Sequence, residues 1–135
     1  MHITNRSALP NKQDYFDLYQ TTGWNKRGVW TADILHEALK NSWHVVSLYD
    51  GEHLVASGRL VSDGFIQCLI CDMIVLPAYQ NRGLGRKVLN ELLEHCRASG
   101  IRWVQLSCAK GKKGFYERFG FQERPSDAPG MQLFL

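Results

Sequence analysis

The sequence concentrates glycines and basic side chains in one short run, residues 80–87. Gly83 and Gly85 stand there among three basic side chains, with no acidic residue. The run follows an apolar segment and opens a helical pattern. Glycines let a ligand approach the backbone, and the free N–H groups and dipole of a helix start favour an anion. The run therefore predicts a cradle for a diphosphate, with a glycine turn carrying solvated basic side chains as the alternative.

Two common diphosphate motifs do not fit this run. A dinucleotide fingerprint requires a third glycine or alanine where this chain has Val88, and an acid about twenty residues further on. Residues 103–106 contain no acid. A nucleotide P-loop closes with Gly-Lys-Ser/Thr, whereas Gly85 is followed by Arg86 and Gly111 by two lysines. Both classes are excluded.

Hydrophobic spacing and turn residues predict the elements that position the run. The chain order is βααβββαβαββ, which predicts a three-layer α/β domain with helices flanking a mainly antiparallel sheet and one parallel crossover. The predicted elements are helices over 10–21 and 31–42, strands over 44–49 and 53–61, a strand over 65–76, a helix from Leu84 to about Ser99, a strand over 102–108, a helix over 112–119, and terminal strands from Phe121 interrupted by Pro125 and Pro129.

Length and composition are typical of one soluble domain, which we expect to span residues 1–135. Of the 135 residues, 44% are hydrophobic and 21% are charged. The net charge of +3 is too small to indicate a nucleic-acid binder. The longest apolar stretches are split by Asp72 and are far shorter than a bilayer span. We therefore expect neither nucleic acid nor a membrane as a partner.

The cysteines and histidines indicate no metal site. Cys68 and Cys71 have C-x-x-C spacing, but residues three apart on a strand point to opposite faces. The five histidines show no ligand spacing. The first residues show no basic stretch followed by an apolar run, so we expect no secretory signal, and the four cysteines stand in apolar surroundings. We expect reduced thiols in a cytoplasmic protein that binds no metal.

Two segments resemble the signatures of the GCN5-related N-acetyltransferases. Residues 72–85 resemble the family's acetyl-CoA motif, Gln/Arg-x-x-Gly-x-Gly/Ala after a strand, with Gln80, Gly83 and Gly85 at its fixed positions. Further along, residues 115–121 resemble a second signature, an aromatic-Tyr pair ahead of Gly-Phe. The predicted order of elements is also the family's order, so the resemblance covers nearly the whole chain.

The resemblance implies a fold and a cofactor site. It implies that the strand over 65–76 bulges and splays from its parallel neighbour, that its backbone pairs with pantetheine, and that the glycine run holds the pyrophosphate. The co-substrate is then acetyl-CoA. The contacts implied are Met73, Ile74, Val75, Gln80, Asn81, Arg82, Gly83, Leu84, Gly85, Arg86, Lys112 and Phe115.

Tyr116 and Asp72 are the candidate catalytic residues. Acetyl transfer to an amine requires a deprotonated amine, a donor such as the Val75 N–H for the oxyanion, and a proton for the departing sulfur. The resemblance makes Tyr116 the proton donor, and a tyrosine with a pKa near about 10 is protonated at neutral pH. Its alternative is a core aromatic. Asp72 is a candidate general base, directly or through water, or a carboxylate that hydrogen-bonds the backbone at the bulge.

The chain departs from the family pattern at two positions. Val104 stands where members acting on protein N-termini usually place a glutamate, and Ala109 where many members have an asparagine that contacts CoA. A basic, glycine-rich loop over 109–114 follows instead. Its lysines are able to attract a phosphate of CoA or an acidic acceptor, with a solvated charge run as the alternative.

These observations predict acetyl-CoA-dependent N-acetylation of a primary amine of a small molecule, by direct attack in a ternary complex. Trp24 and Arg59 are the candidate acceptor-binding residues. Two alternatives stay open: a protein acetyltransferase acting on N-termini or lysines, and a non-catalytic acetyl-CoA sensor. A homodimer through the terminal strands rests on analogy alone.

Overall fold

A five-stranded sheet in the order β1-β2-β3-β4-β5 forms the framework. The structure is a computed structural model that describes residues 1–135. Its residues group into two compact units, Met1–Gln105 and Leu106–Leu135. The elements are β1 (Ile3–Asn5), α1 (Lys12–Gln20), α2 (Ala32–Lys40), β2 (His44–Asp50), β3 (His53–Ser62), β4 (Gln67–Val75), a 3-10 turn (Pro77–Tyr79), α3 (Leu84–Ala98), β5 (Trp103–Gln105) and α4 (Lys113–Glu117).

Helices α1 and α2 cover one face of the sheet. Each begins after a capping side chain: Asn11 accepts a hydrogen bond from the Asp14 N–H, and Thr31 accepts one from the Ile34 N–H. Helix α1 packs on β3 and β4, α2 packs on α1, and both contribute buried apolar side chains to one core. The core on this face consists of Tyr15, Leu18, Tyr19, Leu35, Leu39, Tyr49, Leu54 and Ile74.

Helix α3 covers the other face. Its buried side chains recur at helical spacing, so burial of one stripe holds the helix on the sheet. The buried residues of α3 are Leu84, Val88, Leu89, Leu92, Leu93 and Cys96.

None of the helices combines the length and apolar character that a bilayer span requires.

The sheet is antiparallel except at its last pair. β4 runs antiparallel to β3 and parallel to β5, which confirms the predicted mixed sheet. The parallel pairing joins only Gln67–Leu69 to Trp103–Gln105. Beyond it, the segment 70–75 of β4 has no strand partner on that side. The parallel pair therefore separates partway along β4.

The predicted terminal strands are wrong. No strand follows Gln105, and β5 ends earlier than the predicted residue 108. Pro125 and Pro129 lack the N–H groups that a ladder needs. The chain instead turns at Pro125, whose carbonyl accepts a hydrogen bond from the Ala128 N–H at 2.9 Å. The strands that the dimer analogy required are therefore not formed in this structure.

Gly58 on β3 has no room for a side chain. An added Cβ would lie 2.8 Å from Met73 Sδ, 2.8 Å from Val88 Cγ1 and 3.0 Å from Leu92 Cδ1. We expect Gly58→Ala to lower the free energy of unfolding by about 1–3 kcal/mol through overpacking. Urea denaturation measures this change. Gly130→Ala is the control, since nothing lies within 4 Å there, and equal effects of the two substitutions would contradict the prediction.

His44 on β2 stacks on His95 of α3, with ring centroids 3.7 Å apart and planes 5° from parallel. Burial, and then the neighbouring His95, lower the pKa of His44, while Glu91 opposes the shift. As pH falls below about 6.5, the unfolded chain therefore takes up a proton before the folded chain does.

We expect this histidine to make the protein less stable in mild acid. Between pH 7.5 and 5 the melting temperature of the wild type should fall more than that of His44→Gln, because the variant has no imidazole to protonate at this position. Thermal melts across that pH range measure the difference. Parallel curves for the two proteins would contradict the prediction.

Candidate active site

The glycine run forms an uncapped helix start. After the 3-10 turn, Asn81 and Gly83 take positive φ angles of 62° and 82°, and α3 begins at Leu84. Glycine tolerates this left-handed conformation best, and asparagine and aspartate tolerate it more readily than other residues do. No side chain caps the first N–H groups of α3, and its first turn holds no acid. These donors and the helix dipole suit an anion such as a diphosphate.

Exposed positive charges surround this helix start. Arg82 and Arg86 are both exposed, and the Arg82 guanidinium lies 5.6 Å from the centre of the Tyr79 ring. The Tyr79 hydroxyl donates a hydrogen bond to Asp50 Oδ2 at 2.7 Å, which raises the pKa of that tyrosine and lowers the pKa of the carboxyl. The cradle is thereby tied to the β2–β3 hairpin.

The main chain of β4 next to the cradle has an open side. The Leu76 N–H donates to the Val55 carbonyl directly opposite, at 2.8 Å. Because peptide groups alternate along a strand, those of Ile74 face β3, where Ser57 is its partner. Those of Met73 and Val75 face away from β3. The Val75 carbonyl accepts a hydrogen bond from Gln80 Nε2 at 3.0 Å.

Asp72 forms a bulge in β4. Ser57 lies opposite Ile74 and Arg59 opposite Cys71, so Asp72 and Met73 together face the single residue between, Gly58. Asp72 has a φ of 52°. A left-handed residue other than glycine costs about 1–2 kcal/mol. The predicted bulge in this strand is therefore present, and a strained aspartate makes it.

The carboxylate of Asp72 is held by Arg59. Arg59 Nε donates to Asp72 Oδ2 at 2.8 Å, and the two side chains are only 19% and 23% exposed. Arg59 Nη1 also donates to Ser42 Oγ at 3.3 Å. The predicted base and the predicted acceptor-binding arginine are thus partners of each other.

The aromatic rings of Trp24, Tyr19 and Tyr15 contact one another in a row, and the two tyrosines lie near the Arg59–Asp72 ion pair. Trp24 is 44% exposed and contacts Tyr19 edge-on at 5.8 Å between ring centroids, and Tyr19 lies 6.2 Å from Tyr15. Burial first, and then the charge of Asp72, raise the pKa of both tyrosines. Both phenols therefore stay protonated near neutral pH. Sequence reasoning selected Trp24 and missed the tyrosines, whose spacing on α1 signals only a buried stripe.

In the second unit, Tyr116 lies on α4 within an aromatic cluster. Its ring centroid is 5.0 Å from that of Phe115 and 5.8 Å from that of Phe121. Burial, and secondarily Cys108, raise the pKa of the phenol. Tyr116 thus holds its proton at neutral pH, as a proton donor must. Lys112 directly precedes α4 and is exposed.

The cysteines do not come together as a C-x-x-C site. Cys68 is buried, and burial first and Cys96 second raise the pKa of its thiol, whereas Cys71 is the partner of Arg59 across the β3–β4 ladder. No group of three or more His, Cys, Asp or Glu side chains is arranged to hold a metal ion.

Comparison with known proteins identifies the family. Residues 10–121 match the Acetyltransferase (GNAT) family. An uncharacterized N-acetyltransferase ycf52 of Porphyra purpurea is 30% identical over 135 residues, covering 97% of this chain and 75% of that protein. Serotonin N-acetyltransferase 2, chloroplastic, of Oryza sativa subsp. japonica is 32% identical over 80 residues, covering 59% of this chain and 40% of that protein.

Solved structures of acetyltransferases share the fold of this chain over nearly its whole length. The GNAT family protein SP0256 from Streptococcus pneumoniae has a TM-score of 0.80 at 32% identity, covering 99% of this chain and 97% of that one. The probable acetyltransferase SA2161 from Staphylococcus aureus has a TM-score of 0.87 at 23% identity, covering 99% and 100%. The chain belongs to the GNAT acetyltransferase family, and it is an N-acetyltransferase.

Loss of a charge at the cradle should weaken CoA binding. We expect Arg82→Ala and Arg86→Ala each to raise the Kd for CoA by roughly tenfold at low salt and by less at high salt. Isothermal titration calorimetry at two ionic strengths measures both effects. Arg97→Ala is the matched control, because Arg97 lies at the far end of the same helix and pairs with Glu94 at 2.7 Å. An equal loss in the control would contradict the assignment.

Proposed function

We propose that this N-acetyltransferase transfers the acetyl group of acetyl-CoA to the primary amine of a small molecule, by direct attack in a ternary complex. The observation that carries the proposal is the adjacency of two features: the uncapped start of α3 and the open side of β4. The first offers N–H donors to a diphosphate. The second offers the Met73 peptide groups and the Val75 N–H to an extended, amide-bearing chain, in the manner of an added strand, while Gln80 occupies the Val75 carbonyl.

The residues fit acetyl-CoA chemically. Exposed Arg82 and Arg86 supply positive charge beside a helix start that holds no acid. Bound acetyl-CoA supplies an acyl group activated as a thioester, so that the amine nitrogen bonds to the acyl carbon while the carbon–sulfur bond breaks. The Val75 N–H, which faces away from β3, is the proposed donor to the acyl oxygen.

Tyr116 is the proposed proton donor to the departing sulfur. Two observations support it: its place in the second family signature, and the raised pKa that keeps its phenol protonated. The attacking amine loses one proton and the thiolate gains one, so the transfer is balanced. Asp72 as the general base stays a prediction, and its ion pair with Arg59 does not favour that role.

Three observations support a small acceptor. Val104 on β5 takes the place of the glutamate expected in members that act on protein N-termini. The rings of Tyr15, Tyr19 and Trp24 form an apolar wall toward Asp72, which suits an amine attached to a flat or apolar group. One relative is named for the small amine serotonin. Thiol release measured over a panel of amines and N-terminal peptides tests the preference.

A reducing compartment such as the cytoplasm is also part of the proposal. Cys68, Cys71, Cys96 and Cys108 are all free thiols, and Cys68 and Cys96 are buried. Persistent free thiols are typical of a reducing environment.

Removing the phenol of Tyr116 should separate binding from turnover. We expect Tyr116→Phe to lower kcat by roughly 10–10⁴-fold, the usual range of a general-acid contribution, with little change in the Kd for acetyl-CoA. Steady-state kinetics and calorimetry measure the two quantities. Tyr49→Phe is the control, a buried tyrosine beside Arg6.

Unchanged turnover in Tyr116→Phe would remove the assigned role. A wild-type protein that binds acetyl-CoA but releases no thiol with any amine would instead support the sensor alternative. A wild-type protein that prefers peptides to small amines would support a protein acceptor.

A further inference from the structure

The bulge in β4 is a conformation that Asp72 does not prefer. Its φ of 52° lies in the left-handed region, and no glycine relieves the strain there. The bulge places two residues opposite Gly58, so it sets the register of everything that follows on β4. Loss of the extra residue would turn the peptide groups and side chains of 73–75 to opposite sides. Something must therefore hold the bulge in place.

Arg59 spans the bulge from the neighbouring strand. It lies opposite Cys71, directly before the bulge, and its Nε donates to the carboxylate of Asp72 at 2.8 Å. Its Nη1 donates to Ser42 Oγ, and Ser42 in turn donates to the Ala38 carbonyl at 2.7 Å. The guanidinium is thereby fixed to the end of α2, and Asp72 is fixed to the guanidinium.

The opposite face of the bulge is filled by Met73. Its sulfur lies where a Cβ on Gly58 would come within 2.8 Å, among the side chains of Val88 and Leu92. The bulge is thus held by an ion pair on the α1–α2 face and by close packing on the α3 face. Only the ion pair acts on the strained residue itself.

We propose that Arg59 and Asp72 form a positioning pair, which holds the left-handed bulge and so fixes the Met73 and Val75 peptide groups toward acetyl-CoA. Asp72 acts here through its bond to Arg59 and takes no proton from the acceptor. This inference rests on the proposed function for its ligand, acetyl-CoA. The inference gives the Arg59–Asp72 pair, which lies on the proposed acceptor side of β4, a role in binding acetyl-CoA.

Three substitutions of Asp72 separate positioning from base catalysis. Asp72→Asn keeps a side chain that tolerates the left-handed region and accepts from Arg59 Nε, but it is not a base. Asp72→Gly keeps the backbone freedom without the bond, and Asp72→Ala loses both. Calorimetry gives the Kd for acetyl-CoA, and amide hydrogen exchange of Met73 and Val75 reports the bulge without any ligand.

We expect Asp72→Asn, which keeps a hydrogen bond to Arg59 but not the charge, to weaken acetyl-CoA binding less than Asp72→Ala does and to leave the pH profile of kcat as in the wild type. Asp72→Ala should weaken acetyl-CoA binding by about tenfold and speed exchange at Met73 and Val75, and Asp72→Gly should lie between the two. Arg59→Ala, which removes the bond but leaves the aspartate in the bulge, should match Asp72→Gly, and the Arg59→Ala/Asp72→Ala double variant should lose no more than Asp72→Ala. Glu94→Ala, which removes an exposed ion pair on α3, is the control and should change nothing.

Two results would overturn the positioning role. One is a fall of kcat by 100-fold or more in Asp72→Asn, together with loss of the acidic limb of the pH profile of kcat and an unchanged Kd for acetyl-CoA. Removal of a general base would give this result. The other is an Asp72→Ala variant whose amide hydrogen exchange at Met73 and Val75 and whose Kd for acetyl-CoA equal those of the wild type. Failure of the wild type to bind acetyl-CoA would overturn the proposed function instead, while hydrogen exchange in the ligand-free variants would still decide whether the pair holds the bulge.

Discussion

Strand β4 is a central strand of the sheet over its first residues and an edge strand over its last ones. Its first residues pair on both sides, with β3 and β5, whereas the segment 70–75 pairs only with β3. Buried main-chain groups require partners, so an open side inside a sheet calls for a ligand, water or a side chain. The short β5, the bulge at Asp72 and the exit of the chain into the 3-10 turn all follow from this division.

The two faces of the sheet support β4 by different means. On the α3 face the support is steric, since Gly58 leaves space that Met73, Val88 and Leu92 fill. On the α1–α2 face it is electrostatic, since Arg59 holds Asp72 beside two tyrosines. Close packing tolerates little displacement, and a hydrogen-bonded ion pair fixes direction as well as distance. Together they define the path of the strand toward the cradle.

The parts of the fold that sequence reasoning predicted are those with local signals. The helices predicted over 10–21 and 31–42 and the glycine run depend on residues a few positions apart, and the apolar stripe of α3 depends on one periodicity. The family resemblance rests on two such contiguous segments. The bulge was expected from that resemblance, but nothing in the sequence named the arginine that stabilises it.

The remaining features depend on register and on long-range pairing. Arg59 and Asp72 are 13 residues apart, and they meet only because β3 and β4 pair with one residue extra. Tyr15 and Tyr19 look like ordinary core residues until α1 is placed on the sheet. The predicted terminal strands from Phe121 onward do not form for a related reason: Pro125 and Pro129 and the turn between them interrupt the pairing that a strand needs.

The open side of β4 also bears on solubility. An unpaired strand edge is a template onto which another polypeptide can add, and natural sheets discourage such additions with bulges and inward-pointing charges. Asp72 supplies both devices at the start of the open segment, and Gln80 occupies the Val75 carbonyl with its own amide. The bulge and the Gln80 contact that shape this edge therefore also make it a poor template for a second polypeptide chain.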